Sequence, residues 1–435
     1  MSTFARLRAT LIRLKNHQSC GELTLSDYPL DPLPEFRPEP LKKGDHLALC
    51  GDSLTEQRMY SVLIETYLAA CRPDLEISVR QFGWSGEKAG EFLRRQHADV
   101  LRFRPTIATV LYGMNDFRYI PHDPEIAAEF RENLAAILQN FRAADCRVLL
   151  GSPTIIGAVP DWVKTARGSQ HDLNLALCRL RNVAGHLAYD RRISFADHFR
   201  AMLESHFDAT SRFGPDFRIA GQDGVHPDWA GQAIIGYGFL VKLGLVRELA
   251  AFTLNATTGE ATTSKGHQIL STSNGHLHLR STQFPFDPGN GPLDESTSLR
   301  AGLSLTNFFT DLNRFSFRLI APQAEAYDVT WGTETRRFSA EQLTAGISLA
   351  EEFPSHPLTS VFHQIWTAVA AKQAYETRQH KEFLTSPDGS LERENAFTMT
   401  ESTLARYISA IASARKAVDH EITIAPENAE AHLGS

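Results

Sequence analysis

The sequence has few cysteines, and none of them are paired. Cys20, Cys50, Cys71, Cys146 and Cys178 are scattered through the first half, odd in number and without a C-x-x-C pair. That excludes a disulfide framework and a thiolate zinc site, and buried reduced thiols are the plain reading. No run of about 18 apolar residues occurs, so no segment reads as a membrane-spanning helix. Met1 to Gln18 mixes Arg and Lys with Leu and Ile and lacks the uninterrupted apolar core of a signal peptide. The cytoplasm is therefore the expected compartment. Excess positive charge is absent too. Lys and Arg number 44 against 51 Asp and Glu, a net charge of -7, so neither nucleic acid nor an anionic membrane is the expected partner. No P-loop, dinucleotide fingerprint, zinc signature or G-x-S-x-G elbow occurs.

What is present is ordinary globular material in more than ordinary length. At 435 residues and 42% hydrophobic, the chain has enough for two domains, or one with large additions. Residues 1–42 are irregular, with Pro29, Pro32, Pro34, Pro38 and Pro40 close together, and read as an arm, laid on the surface or mobile. From Lys43 the text alternates between strand and helix. His46 to Cys50, then Leu75, Ile77 and Val79, then Thr106 to Tyr112, then Arg147 to Leu150 and Arg192 to Ala196 read as strands. Met59, Leu63, Tyr67 and Ala70 share one helical face, and Glu87 to Leu101 also reads as helix. Ile126, Phe130, Leu134, Ile137, Leu138 and Phe141 form the strongest stripe. Strand-helix alternation predicts a parallel sheet covered by helices on both faces, with ligands at the carboxyl ends of the strands.

Four segments carry chemistry. Gly51-Asp52-Ser53-Leu54-Thr55 follows the first strand and opens a helix. A serine there stands at the positive end of the helix, a place for a nucleophile or for a simple N-cap. Gly83-Trp84-Ser85-Gly86-Glu87 and Gly113-Met114-Asn115-Asp116 follow the next two strands. Each reads as a turn that can also offer N–H donors. In Asp223-Gly224-Val225-His226-Pro227 the carboxylate can hold one imidazole nitrogen and leave the other for a serine. Pro227 fits the first position of the helix that follows.

Taken in order, the four resemble the motif blocks of the SGNH (GDSL) hydrolases over residues 43–247. The resemblance implies a three-layer α/β/α, flavodoxin-like fold and a serine esterase. It implies Ser53 as nucleophile, His226 as base and then acid, and Asp223 as its orienting partner. Ser53, Gly86 and Asn115 would form the oxyanion hole. No cofactor and no metal are implied. A rise of activity with pH, as His226 loses its proton, follows from the base role.

Beyond residue 247 the pattern shifts. A β-rich addition is expected over 248–350, with strands at His276 to Arg280 and Asn313 to Leu319 and a capping box at Ser339 and Gln342. Helices are expected over 351–425, with faces at Leu358, Val361, Phe362, Ile365 and Val369, and at Leu404, Ile408, Ile411 and Val418. Both stripes need a partner surface, and the catalytic domain is the one expected. A disordered tail is expected over 426–435. Ser339 to Gly346 is similar to a segment of longer bacterial SGNH proteins. Trp84, Tyr112 and Arg118 are candidate substrate contacts, with core packing as the plainer reading. His276 and His278 share a strand face, but the sequence offers no third metal ligand.

The expected substrate is a small-molecule or carbohydrate ester with a short acyl group such as acetyl, on the strength of the family's deacetylases. A lysophospholipase or thioesterase is the enzyme alternative. A glycan-binding protein with a vestigial hydrolase domain is the alternative of another class. Oligomeric state is not legible.

Overall fold

A computed structural model describes residues 24–164, 168–385, 389 and 391–427. β1 (His46–Gly51), β2 (Ser78–Gln81), β3 (Ile107–Leu111), β4 (Arg147–Gly151) and β5 (Ser194–Ala196) form one sheet. Its order is β2-β1-β3-β4-β5 and every pair is parallel. All of β3 is buried, as a strand covered on both faces must be.

The covering helices are α1 (Ser53–Glu56), α2 (Tyr60–Thr66), α3 (Ala89–Arg95), α4 (Pro124–Ala143), α5 (Gln170–Arg191), α6 (His198–Phe213) and α7 (Trp229–Lys242). α3 packs on α4 and α4 on α5, while α2 and α6 pack on α7. This is the expected three-layer α/β/α fold. The α4 stripe is buried in full, and Asp123 caps the helix by accepting from Glu125 N–H ahead of Pro124.

In the first half, local expectations needed three corrections. β2 begins only at Ser78, because Leu75 lies in a 3-10 turn that ends on Glu76 with φ +52°. The helix expected over Glu87 to Leu101 is α3 followed by a π-helical turn, Gln96–Val100, in which buried Gln96 donates to Ile137 O at 3.1 Å. Pro227 precedes the α7 N-cap, Asp228, so it stands outside the helix.

The second half adds two sheets. β6 (Glu248–Asn255), β7 (Ala261–Thr263), β10 (Arg314–Ile320) and β13 (Ile347–Ser348) join in the order β13-β10-β6-β7. β8 (His267–Ser273), β9 (His276–Ser281), β11 (Ala326–Trp331), β12 (Glu334–Ser339) and β14 (Val418–Pro426) join in the antiparallel order β12-β11-β14-β9-β8. The capping box at Ser339 and Gln342 is formed.

Two helices follow, α8 (Thr359–Arg378) and α9 (Arg393–Ala414). The α9 face was expected to reach Val418, but the helix ends at Ala414 and Val418 opens a strand. The reason is period: His420, Ile422 and Ile424 are buried while their neighbours are not. Ile408 is 49% exposed, so the α9 stripe is only partly covered. Pro426 belongs to β14, and residues 428–435 of the expected tail lie outside the described residues.

α8 lies against α2 and β2. Its Lys372, 3% exposed, reaches Glu65 at 2.8 Å and Glu376 at 2.7 Å and donates to Val79 O at 2.6 Å. Gln373 exchanges hydrogen bonds with Ser61 and Glu65 of α2. The described part of the N-terminal arm is laid on α5 and α7. Asn182 donates to Pro29 O, Arg181 to Asp31 O and Lys242 to Phe36 O. Residues 1–23 of the arm lie outside the described residues.

Candidate active site

The four segments meet at the carboxyl ends of β1, β2 and β3. Ser53 is the first residue of α1, one residue beyond the end of β1. Asp52, not Ser53, is the N-cap, and accepts from Leu54 N–H at 3.0 Å. That leaves the Ser53 hydroxyl for other work. It lies 2.9 Å from His226 Nε2, and His226 Nδ1 lies 2.7 Å from Asp223 Oδ2. The other Asp223 oxygen accepts from Val225 and His226 N–H, both at 2.8 Å, which fixes the carboxylate against its own loop. Partial burial raises the Asp223 pKa, but the hydrogen bonds from His226 and Val225 outweigh it and hold the carboxyl below its usual range.

The loop carrying Asp223 and His226 depends on glycine at two places. Gly221 has φ +85°, and a Cβ there would stand 1.8 Å from His226 O. Gly224 has φ +81°, with its Cβ position 2.6 Å from the Ala158 backbone. No side chain fits either position without moving His226 or its support.

The three donors expected from the sequence lie one on each of the first three segments. Ser53 N–H heads α1 and Gly86 N–H lies in the β2–α3 loop at φ +77°. Among the described residues, neither has an acceptor. Asn115 donates from Nδ2 to Glu87 O at 3.2 Å, which aims its amide at the Gly86 loop and leaves one N–H over.

Two of these segments also carry buried carboxyls, Asp52 and Asp116. Burial pushes Asp52 up to about 8, with Asp116 and Glu87 adding to the rise. Burial likewise pushes Asp116 up to about 7. Burial thus shifts both toward the neutral form, which lessens negative charge near these segments. Glu87 is the exception that keeps a cation: Arg95 Nη2 lies 2.7 Å from it, and Tyr112 donates to it at 2.7 Å.

The expected substrate contacts divide. Tyr112 is 1% exposed and packs on Phe92, so it supports the loop from within the core. Trp84 lies beside His380 and under the cations of Arg95 and Lys381, a packing role. Arg118 turns to Glu129 on α4.

The aromatic beside the base is one that sequence reasoning missed. Trp162, 48% exposed, lies 5.8 Å from the His226 ring, with Tyr119 edge-on to it at 6.4 Å. Nothing in the motif spacing signals Trp162. Also missed is a contact from the far end of the chain. α8 continues into a π-helical turn, Gln379–Phe383. From it Lys381 grips both Glu56 oxygens at 2.8 Å, and Glu56 accepts from Ser85 N–H at 2.5 Å. Partial burial raises Glu56, but Lys381 and the Ser85 N–H outweigh it and hold the carboxyl low. His380 reaches Gly83 O at 3.3 Å. The loop that bears Gly86 is thus held by α1 and by the C-terminal half together.

Residues 49–234 match the GDSL-like lipase/acylhydrolase family. The chain thus carries a GDSL hydrolase domain, that of a serine esterase. Among solved structures, the chain is similar to a gut microbial diltiazem-metabolizing enzyme. The identity is 18% and the TM-score 0.71, over 90% of this chain and 100% of that one. That likeness extends the shared fold through the C-terminal sheets and helices. A catalytic mutant of an acetylxylan esterase from Geobacillus stearothermophilus also matches, at 19% identity and TM-score 0.39, covering 47% of this chain and 95% of that one. An acetyl xylan esterase matches at 20% identity and TM-score 0.35, over 45% of this chain and 98% of that one. No curated protein matches. Among the described residues, no helix is long and apolar enough to cross a membrane.

Proposed function

We propose that this chain hydrolyses carboxylic esters through an acyl-Ser53 intermediate. The observation that carries the reading is the continuous line from Asp223 Oδ2 through His226 to Ser53 Oγ, at 2.7 and 2.9 Å. A serine hydroxyl is a weak nucleophile until a base takes its proton. As Ser53 Oγ attacks the ester carbonyl, His226 Nε2 takes that proton and Asp223 stabilises the imidazolium. The carbonyl oxygen becomes an oxyanion and receives the N–H groups of Ser53, Gly86 and Asn115. Collapse breaks the bond to the alcohol, which leaves with the proton from His226. Water then attacks the acyl carbon, gives its proton to His226, and Ser53 recovers it as the acid departs. No step calls on a metal or cofactor. Burial disfavours the charged forms of Asp52 and Asp116, which lessens repulsion of the oxyanion.

A short acyl group such as acetyl fits best, and a sugar is the favoured alcohol. Ser53 is only 8% exposed, so the carbonyl must be presented by a slender group. The exposed face of Trp162 beside His226 is a surface on which the apolar face of a sugar ring can stack. Matched acetyl and octanoyl esters, together with acetylated sugars, test this. kcat/KM falling with acyl length and rising on acetylated sugars is expected. The highest kcat/KM on long-chain lysophospholipids or thioesters would overturn the short-acyl reading and favour the alternative acyl hydrolase.

A further inference from the structure

β9 and β14 are neighbours within the five-stranded sheet, and their outer face carries two imidazoles and a carboxylate at one spot. The register sets His278 opposite Glu421 and His276 opposite Thr423. Leu277, Leu279, Ile422 and Ile424 point the other way into the core. The two histidines therefore share a face by strand period, and Glu421 comes from 143 residues further on. Glu421 Oε1 lies 2.5 Å from His276 Nδ1 and 3.1 Å from His278 Nε2. The two rings are nearly parallel, at 16°. One donor atom from each residue lies within 4.8 Å of the others.

We infer that His276, His278 and Glu421 form a zinc site that pins β14 to β9. The donor set decides the metal. Two imidazoles and one carboxylate suit Zn²⁺ or a similar first-row ion, whereas Ca²⁺ and Mg²⁺ want oxygen alone. Zinc takes His N and carboxylate O at about 2.0–2.2 Å, and four ligands in all. The three donors need only small side-chain rotations to meet such an ion, and the side chains, 37 to 47% exposed, have room to make them. The solvent side supplies the fourth ligand as water. The backbone positions are held by the strand ladder, so the site is largely preorganised. Its consequence is mechanical: among the described residues β14 is the last strand in chain order, and the ion would tie it to β9. The site stands on a different sheet from Ser53 and is independent of the ester-hydrolase reading.

The test is calorimetric titration of the full-length, chelator-treated protein with Zn²⁺. One tight equivalent per chain is expected, with Mg²⁺ failing to compete. His276→Ala, His278→Ala and Glu421→Gln should each weaken binding more than the roughly 10–100-fold lost with an outer-shell partner. All three positions are partly exposed, so folding should survive, and circular dichroism checks it. Co²⁺ in place of zinc should give the intense visible bands of a four-coordinate ion, absent from the His276→Ala variant. Failure to bind Zn²⁺, or binding unchanged in all three variants, would overturn the inference.

Discussion

His226 stands at the surface of its loop, hydrogen-bonded on both ring nitrogens and open to solvent on one side. In the C-terminal half, His356 and His420 are buried against Trp331, and half-buried His267 packs on Phe315, which stacks on the same indole. The indole N–H donates to His420 Nδ1 at 3.1 Å, and Ser281 bridges His420 and His267 at 2.8 and 2.7 Å. An indole N–H can only donate, so His420 must be unprotonated at Nδ1. Burial pushes His267 and His356 down to about 4 and His420 to about 3. The same side chain thus serves opposite ends. In the parallel half His226 stands, partly exposed, between a serine and a carboxylate. In the C-terminal half burial holds three imidazoles toward the neutral form. Chemistry is concentrated at the strand ends of one half, and the other half supplies rigid support, chiefly through α8.

The sharpest break in that comparison is Lys372→Met. It would leave Glu65 and Glu376 buried without their cation, at a cost of about 3–5 kcal/mol. Denaturant unfolding of the full chain measures it. A loss under about 1 kcal/mol would mean that the two halves are not coupled through α8. Expression of residues 1–249 alone asks the same question more bluntly, and the fragment should be insoluble or melt well below the full chain.

Asn115→Ala comes next and acts on the catalytic half alone. kcat should fall about 10²–10³-fold with KM little changed, since the oxyanion exists mainly in the transition state. Normal kcat with weakened KM would make Asn115 a ground-state contact.

How much of this was legible in the sequence differs between the halves in the same way. The residues that meet at Ser53 are adjacent to strands whose apolar runs announce them. The partners that hold them in place come from 300 residues away, and no local pattern links Glu56 to Lys381 or Glu65 to Lys372. β14 is a different failure. Its alternation was present at His420, Ile422 and Ile424, but a helical face drawn as far as Val418 hid it. The third ligand to His276 and His278 was invisible for the same reason, because Glu421 reaches them only through that strand.

Acid should separate the halves. The unfolded-state pKa of histidine is about 6.5 and the folded values are lower, so the unfolded chain binds more protons between them. Stability is full above pH of about 6.5 and falls as pH drops, by roughly 2 kcal/mol per buried histidine at about pH 5. His198, at about 4, shares this state in the parallel half, but His356 and His420 both lie against Trp331 and His267 is joined to His420 through Ser281. Hydrogen exchange should show β9 and β14 losing protection before β3 as pH is lowered. Equal loss in both would contradict the comparison.

Lys381→Met should have the smallest effect. It frees Glu56 and loosens Ser85, and with it the Gly86 loop. We expect kcat to fall about tenfold, or about 1.4 kcal/mol, with little change in KM or melting temperature. Unchanged kcat would make the contact a matter of packing alone.

The central claim is that Ser53 is the nucleophile, and a fluorophosphonate probe reads it directly. Treatment of the folded full-length protein, followed by peptide mass spectrometry, should find one modified residue, Ser53, with activity lost in step. Ser53→Ala should take no label and lose ester hydrolysis by several orders of magnitude while melting like the parent. Label on another residue, or activity surviving in Ser53→Ala, would contradict the account.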